Sequence, residues 1–203
     1  MHDHNHASKR MNKAAIYNMA SGAFCVATGL ATGSSVATTE GIESLLGDSV
    51  FHSANAREKK GIAIAALALG AAVLVATEAR EFIQPAKEDN FMGAVAVSSS
   101  LGANVASYTG LLPHDHEHDE GDVLYDHERA SKLHSFGDMA GSVIALVASG
   151  LSIKYGIADR IGMPVQVGVR LGFYKMERDI LKNKSGKIGK WLSARYVERP
   201  HEH

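Results

Sequence analysis

The chain has 203 residues with 21 Lys and Arg against 22 Asp and Glu, a net charge of -1 that offers no bulk attraction to nucleic acid. Its one cysteine, Cys25, excludes an internal disulfide framework and a thiolate-rich metal site. A mean hydropathy of -0.07 is ordinary for a soluble protein and low for a polytopic membrane protein, so distribution along the chain must decide the class.

Residues 1–12 open Met-His-Asp-His-Asn-His and continue with Lys9 and Arg10. No cleavable signal peptide is expected there, and the segment reads as a His-containing cytoplasmic N-terminus. Residues 14–39 then hold no charged side chain, only Ala, Gly, Ser, Thr, Val and a few larger apolar residues. Cys25 lies inside this run and is expected to be a buried, inert thiol. Residues 40–57 read as a helix that carries Glu40, Glu43, Asp48 and His52. Further uncharged runs occupy residues 61–77, 90–113 and 139–153. A helix crosses a bilayer with about 20 mostly apolar residues, and about 17 suffice. Three of the four runs meet that length, and the last does once the residues from His134 onward are included. A sixth helix over 158–181 contains Arg170 and Lys175. Arg170 facing lipid would cost roughly 2.5 kcal/mol or more at mid-helix, so it needs an acidic partner or a polar cavity if that helix is to span.

These elements give an all-α, polytopic architecture with six transmembrane helices across residues 13–183. The abundance of Gly, Ala and Ser suits close helix packing in lipid. Loop charges sort as the positive-inside rule requires. One side collects Lys9, Arg10 and Lys13, then Arg57, Lys59 and Lys60, then Arg129 and Lys132, then a Lys-rich tail, while the other has Arg80, Lys87, Lys154 and Arg160. Both termini are therefore expected in the cytoplasm. The loop at 114–128 is a run of His and acidic residues, compositionally a weak metal binder that cannot form a core. His201 and His203 repeat the theme at the end of the chain. The basic residues 184–203, with Trp191, read as an amphipathic tail on anionic lipid.

The stretch His134-Ser-Phe-Gly-Asp138 places an imidazole and a carboxylate four residues apart where an apolar helix begins. On a helix that spacing puts both on one face, able to reach one cation. A carboxylate in an apolar span is costly and marks a functional site by default. No nucleophile motif or phosphate-cradling glycine loop stands in a strand–helix context, so an enzyme is not expected.

In these residues the chain resembles the cation diffusion facilitator family of divalent-metal/proton antiporters. Leu133-His134-Ser-Phe-Gly-Asp138-Met-Ala-Gly-Ser142-Val143 is similar to that family's fifth transmembrane helix. Thr32-Gly-Ser-Ser-Val36 ahead of Glu40-Gly-Ile-Glu43-Ser-Leu45 resembles the end of its first helix and the start of its second. Glu78-Ala-Arg80 looks like the end of the third helix, and Asn104 lies in the fourth. The His tract falls where many members carry a cytoplasmic His-rich loop. The resemblance implies efflux of zinc, manganese, iron(II) or cobalt against protons, and a homodimer in the cell membrane. The family's second helix usually supplies a His or Asp followed four residues later by Asp. Here those places hold Glu43 and Gly47, with Asp48 one residue further on, rotated by about 100° on an ideal helix. A one-residue shift or a π-bulge would bring Asp48 back. Glu40 with Glu43, or Asp48 with His52, are alternative pairs.

The expected metal ligands are His134, Asp138, Glu43 and Asp48, with Glu40 as a further candidate. Such a nitrogen/oxygen set suits zinc and also the harder divalent metals. Two other readings compete: a non-transporting membrane relative that binds or regulates metal, and a soluble helical His-rich metal-binding protein.

Overall fold

The computed structural model describes residues 2–83, 90–111, 123–155, 159–182 and Lys184. Within them the protein is all-helical, with no strand. The His/acidic tract at 114–122, Lys87 and the tail with Trp191, His201 and His203 lie outside the described residues. Helix α1 runs His2–Thr32. Gly33 adopts φ 73, the left-handed conformation in which a residue without Cβ ends a helix at no steric cost. Ser34 then caps the next helix by accepting from the Ala37 N–H at 3.3 Å. That helix, α2, is continuous but built from three pieces: Ser35–Glu43, a π-helical stretch Ser44–Asp48, and Ser49–Asn55. Helices α3 (Lys60–Ile83), α4 (Asn90–Leu111), α5 (Val123–Tyr155) and α6 (Asp159–Leu181) follow.

The helices close into a ring in the spatial order α1, α4, α5, α6, α3, α2, and α2 also reaches inward against α4 and α5. Close approach of backbones depends on glycine at two places. A Cβ on Gly41 of α2 would meet the Val26 nitrogen of α1 at 2.5 Å and the Gly22 oxygen at 2.7 Å. On α5, a Cβ on Gly137 would strike the Phe173 ring at 2.6 Å, and one on Gly141 would strike Arg170 Nε at 2.5 Å. The glycine of the His-Ser-Phe-Gly-Asp stretch is thus the recess into which α6 packs.

What the bundle buries is unusual for a water-soluble protein. Asn18 and Ser21 of α1, Ser100 and Asn104 of α4, and Gln166, Arg170 and Glu177 of α6 all point inward and are buried. Ile16, Phe24 and Leu30, Leu69 and Val75, and Val143 and Val147 point outward and are exposed. Large charged residues are almost never fully buried unless paired, and this interior holds many of them. Among the described residues, two helical stretches, His6–Thr32 and Lys60–Arg80, are long and apolar enough to cross a membrane. Burying Ser100, Asn104, Gln166, Arg170 and Glu177 on inward faces lowers the mean hydropathy of α4 and α6.

Candidate metal centre

The centre begins with the π stretch of α2. Its signature is the Ser49 N–H bonded to the Ser44 carbonyl, five residues back. A wider turn at this point takes up one extra residue, so the inward residues Glu40, Glu43, Asp48, His52 and Asn55 stay on one face despite the step of five between Glu43 and Asp48. All five are buried. Gly47 falls inside this stretch and faces α3, where a Cβ would sit in ordinary contact 3.4 Å from the Gly70 Cα.

Asp48 then meets α5. His134 Nε2 lies 3.1 Å from Asp48 Oδ1 and 3.4 Å from Asp138 Oδ2. Ligand atoms of Asp48, His134 and Asp138 all fall within 4.8 Å of one another. The other ring nitrogen, Nδ1, is 3.0 Å from Glu177 Oε2 of α6. Because a carboxylate accepts and does not donate, Nδ1 carries a hydrogen toward Glu177 and Nε2 one toward Asp48 when both acids are ionised, and a metal bound at Nε2 would take the place of the second. The imidazole is walled by Phe51, with ring centroids 4.4 Å apart, and by Tyr174, stacked at 5.6 Å. His52 stands 5.3 Å away, ring to ring, and its Nδ1 has no partner. Asp48 Oδ2, Asp138 Oδ2 and Glu177 Oε1 are also buried without a hydrogen bond. Buried carboxylate oxygens are normally paired, and three carboxylates around one imidazole carry more negative charge than the ring alone offsets.

A second polar cluster lies one to two turns along α2 toward Ser35. Arg170 Nη2 donates to Glu40 Oε1 at 2.9 Å, and Nη1 pairs with Glu43 Oε2. Tyr174 donates its hydroxyl to Glu43 Oε1. Ser100 and Ser142 donate to Glu40 Oε1 at 2.7 and 3.2 Å. Arg170 therefore has the acidic partners its position demands. The same pairing separates the expected ligands: Asp48, His134 and Asp138 come together, whereas Glu40 and Glu43 are engaged by Arg170 and stand apart from that group.

No family model, curated protein or solved structure matches this chain. Its function has to be read from these side chains.

At the other end of α2 a third network ties three helices. His127 Nδ1 lies 2.6 Å from Asn55 Oδ1, and Asn55 Nδ2 donates to Ser131 Oγ at 3.0 Å. Arg10 of α1 pairs with Glu128 at 2.8 Å, and Lys132 adds a contact at 3.3 Å. Burial holds His127 below the usual His range, with Lys60 lowering it further against an upward pull from Glu58. Burial also raises Asp126, opposed by Arg129 and Lys60. Cys25 is buried, with Sγ 3.3 Å from the Ala96 carbonyl, as its neighbours led one to expect.

Glu177, Tyr174 and Gln166 were not singled out from the sequence. A signal was there: Gln166, Arg170, Tyr174 and Glu177 recur at steps of four, four and three, one polar stripe along α6.

Proposed function

We propose that this chain is a membrane-embedded transporter of divalent metal ions that exchanges the ion for protons, in the manner of the cation diffusion facilitator family it resembles. Asp48, His134 and Asp138 hold the transported ion, and Glu177 orients the imidazole. The observation that carries this reading is the buried group of Asp48, His134 and Asp138, whose ligand atoms lie within 4.8 Å of one another and whose aspartates each keep an oxygen without a hydrogen bond. Six helices then cross the bilayer, with outward Ile, Leu, Val and Phe facing lipid. Each inward-facing ionisable group is paired or lines the site, as an intramembrane charge must. Loop charges put both termini in the cytoplasm and the basic 57–60 turn on the same side. The resemblance adds a homodimer.

The ligand chemistry leads to antiport. A metal binds deprotonated carboxylates and a neutral imidazole, so its arrival expels protons from the site and its departure takes them back. One nitrogen and several oxygens suit zinc, and manganese, iron(II) or cobalt equally in kind. Proteoliposomes under a pH gradient test the proposal, with each of the four metals supplied in turn. Flux by the wild type that Asp138→Ala abolishes is the expected result. Absence of flux in a correctly inserted wild type would overturn it in favour of a metal-binding membrane protein that does not transport.

A further inference from the structure

The faces that α1 and α4 turn to each other carry polar groups that the fold leaves unanswered. Met11, Asn18 and Cys25 recur at steps of seven on α1, and Val97, Asn104 and Leu111 do so on α4, which keeps each set on one side of its helix. The two sides meet at both ends. Cys25 Sγ donates to the Ala96 carbonyl, and Met11 joins Leu111, Ala14 and Ala56 in one apolar cluster. Asn18 and Asn104 therefore face each other midway, both fully buried. Neither the amide nitrogen nor the amide oxygen of either residue has a hydrogen-bond partner, and the buried Ser107 Oγ, one turn along α4, has none either. Buried polar side chains between helices normally bond across the interface. Two opposed amides and a hydroxyl, all neutral and all unpaired, are what water satisfies.

This place is level with the metal centre. Between α4 and α5, the Tyr108 and Phe136 rings lie 6.0 Å apart, and Ser100 and Ser142 meet at Glu40; Asn104 and Asp138 fall between those two contacts. Between α1 and α2, Ser8 donates to the Ala56 carbonyl and Gly22 faces Gly41 and Leu45; Asn18 and Asp48 fall between those. The π stretch that carries Asp48 packs on α1. We infer that Asn18, Asn104 and Ser107 line a water-filled cleft that admits the ion from the cytoplasmic end to Asp48 and Asp138, with Met11 and Leu111 as its apolar gate. This rests on the transport reading and deepens it. Neutral amides and a hydroxyl can hold an ion's water shell without gripping the ion as carboxylates do, which a passage requires. Met11 and Leu111 are fully buried beside Ala56, next to the basic 57–60 turn, and an apolar constriction there closes the cleft by excluding water. The unbranched Met11 side chain can swing aside to open it.

Thiol reactivity in the full-length protein tests the cleft. Cys25→Ser removes the native thiol and keeps a donor for the Ala96 carbonyl. In that background Ser107→Cys, nearly the same size as the residue it replaces, should react with a cationic methanethiosulfonate reagent that attacks only thiolates in contact with water. Val97→Cys, buried on the same helix, should stay unmodified, and adding Leu111→Ala should speed Ser107→Cys. Ser107→Cys as inert as Val97→Cys overturns the proposal, and so does a rate that Leu111→Ala leaves unchanged. A second measurement reads the passage. Asn18→Leu/Asn104→Leu should keep the Co2+ affinity of the wild type in detergent and lose flux in proteoliposomes. Unchanged flux overturns the route, and lost Co2+ affinity overturns it too, by making the amides ligands of the ion. If the double variant does not fold, the reactivity of Ser107→Cys decides alone. A wild type without flux counts against the transport reading, and Ser107→Cys still shows whether the cleft holds water.

Discussion

Replacing Glu177 should weaken metal binding without weakening the metal-free fold. Its Oε2 is 3.0 Å from His134 Nδ1, while Nε2 on the far side of the ring is 3.1 Å from Asp48 and 3.4 Å from Asp138. A metal held between Nε2 and the aspartates needs the Nε2 lone pair, hence a hydrogen on Nδ1 and an acceptor for it. Glu177→Gln keeps an acceptor oxygen within reach but loses the charge. Glu177→Leu removes the acceptor at similar volume and frees the imidazole to take the other tautomer. Partners that orient a ligating His are worth about 10–100-fold in metal affinity. The Gln variant should fall near the low end and the Leu variant near the high end, about 1.4 and 2.7 kcal/mol. Stability without metal should move the other way. Glu177 Oε1 is buried with no partner, so the carboxylate is poorly compensated in the empty site. The empty site crowds three carboxylates around one imidazole, so removing Glu177 relieves like-charge repulsion while Asp48 and Asp138 stay paired with His134. The assay is a competition titration with Co2+ in detergent, beside melting curves in excess chelator. A Leu variant that binds Co2+ as tightly as wild type would refute the orienting role. A Leu variant that melts well below wild type in chelator would show that Glu177 serves the fold instead.

Gly41→Ala should destabilise the bundle by about 1–3 kcal/mol or more, because its Cβ meets α1 backbone at 2.5 Å. Gly102→Ala, with nothing within 4 Å of its Cβ, should be neutral or gain up to about 1 kcal/mol from helix propensity; equal melting temperatures would contradict the packing at α1–α2. His127 supplies a pH dependence. Burial keeps it neutral in the fold, whereas an unfolded His takes a proton below about pH 6.5. The unfolded state then binds more protons, so stability is full above about pH 6.5 and declines as pH falls toward the lower folded value. His127→Gln should flatten the melting temperature between about pH 7.5 and 5.5, and an unchanged slope would rule out His127 as its source.

The helices were legible in the sequence because uncharged runs of bilayer length stand between charged turns, and the all-helical class followed from them. His134 and Asp138 were legible as a pair because four residues on one helix share a face whatever surrounds them. Which acids on α2 complete their site was not, since Glu40, Glu43 and Asp48 fit several pairings on a straight helix. The π stretch Ser44–Asp48 decides it by bringing Asp48 to His134. Arg170 announced that it needed an anion but could not say which. Only the crossing of α6 over α2 assigns it Glu40 and Glu43, leaving Asp48 to His134 and bringing Glu177 to the back of the imidazole. Periodicity and local spacing are properties of one helix and survive in the sequence; the sharing of buried charges among helices depends on where separate segments meet, which local pattern does not encode.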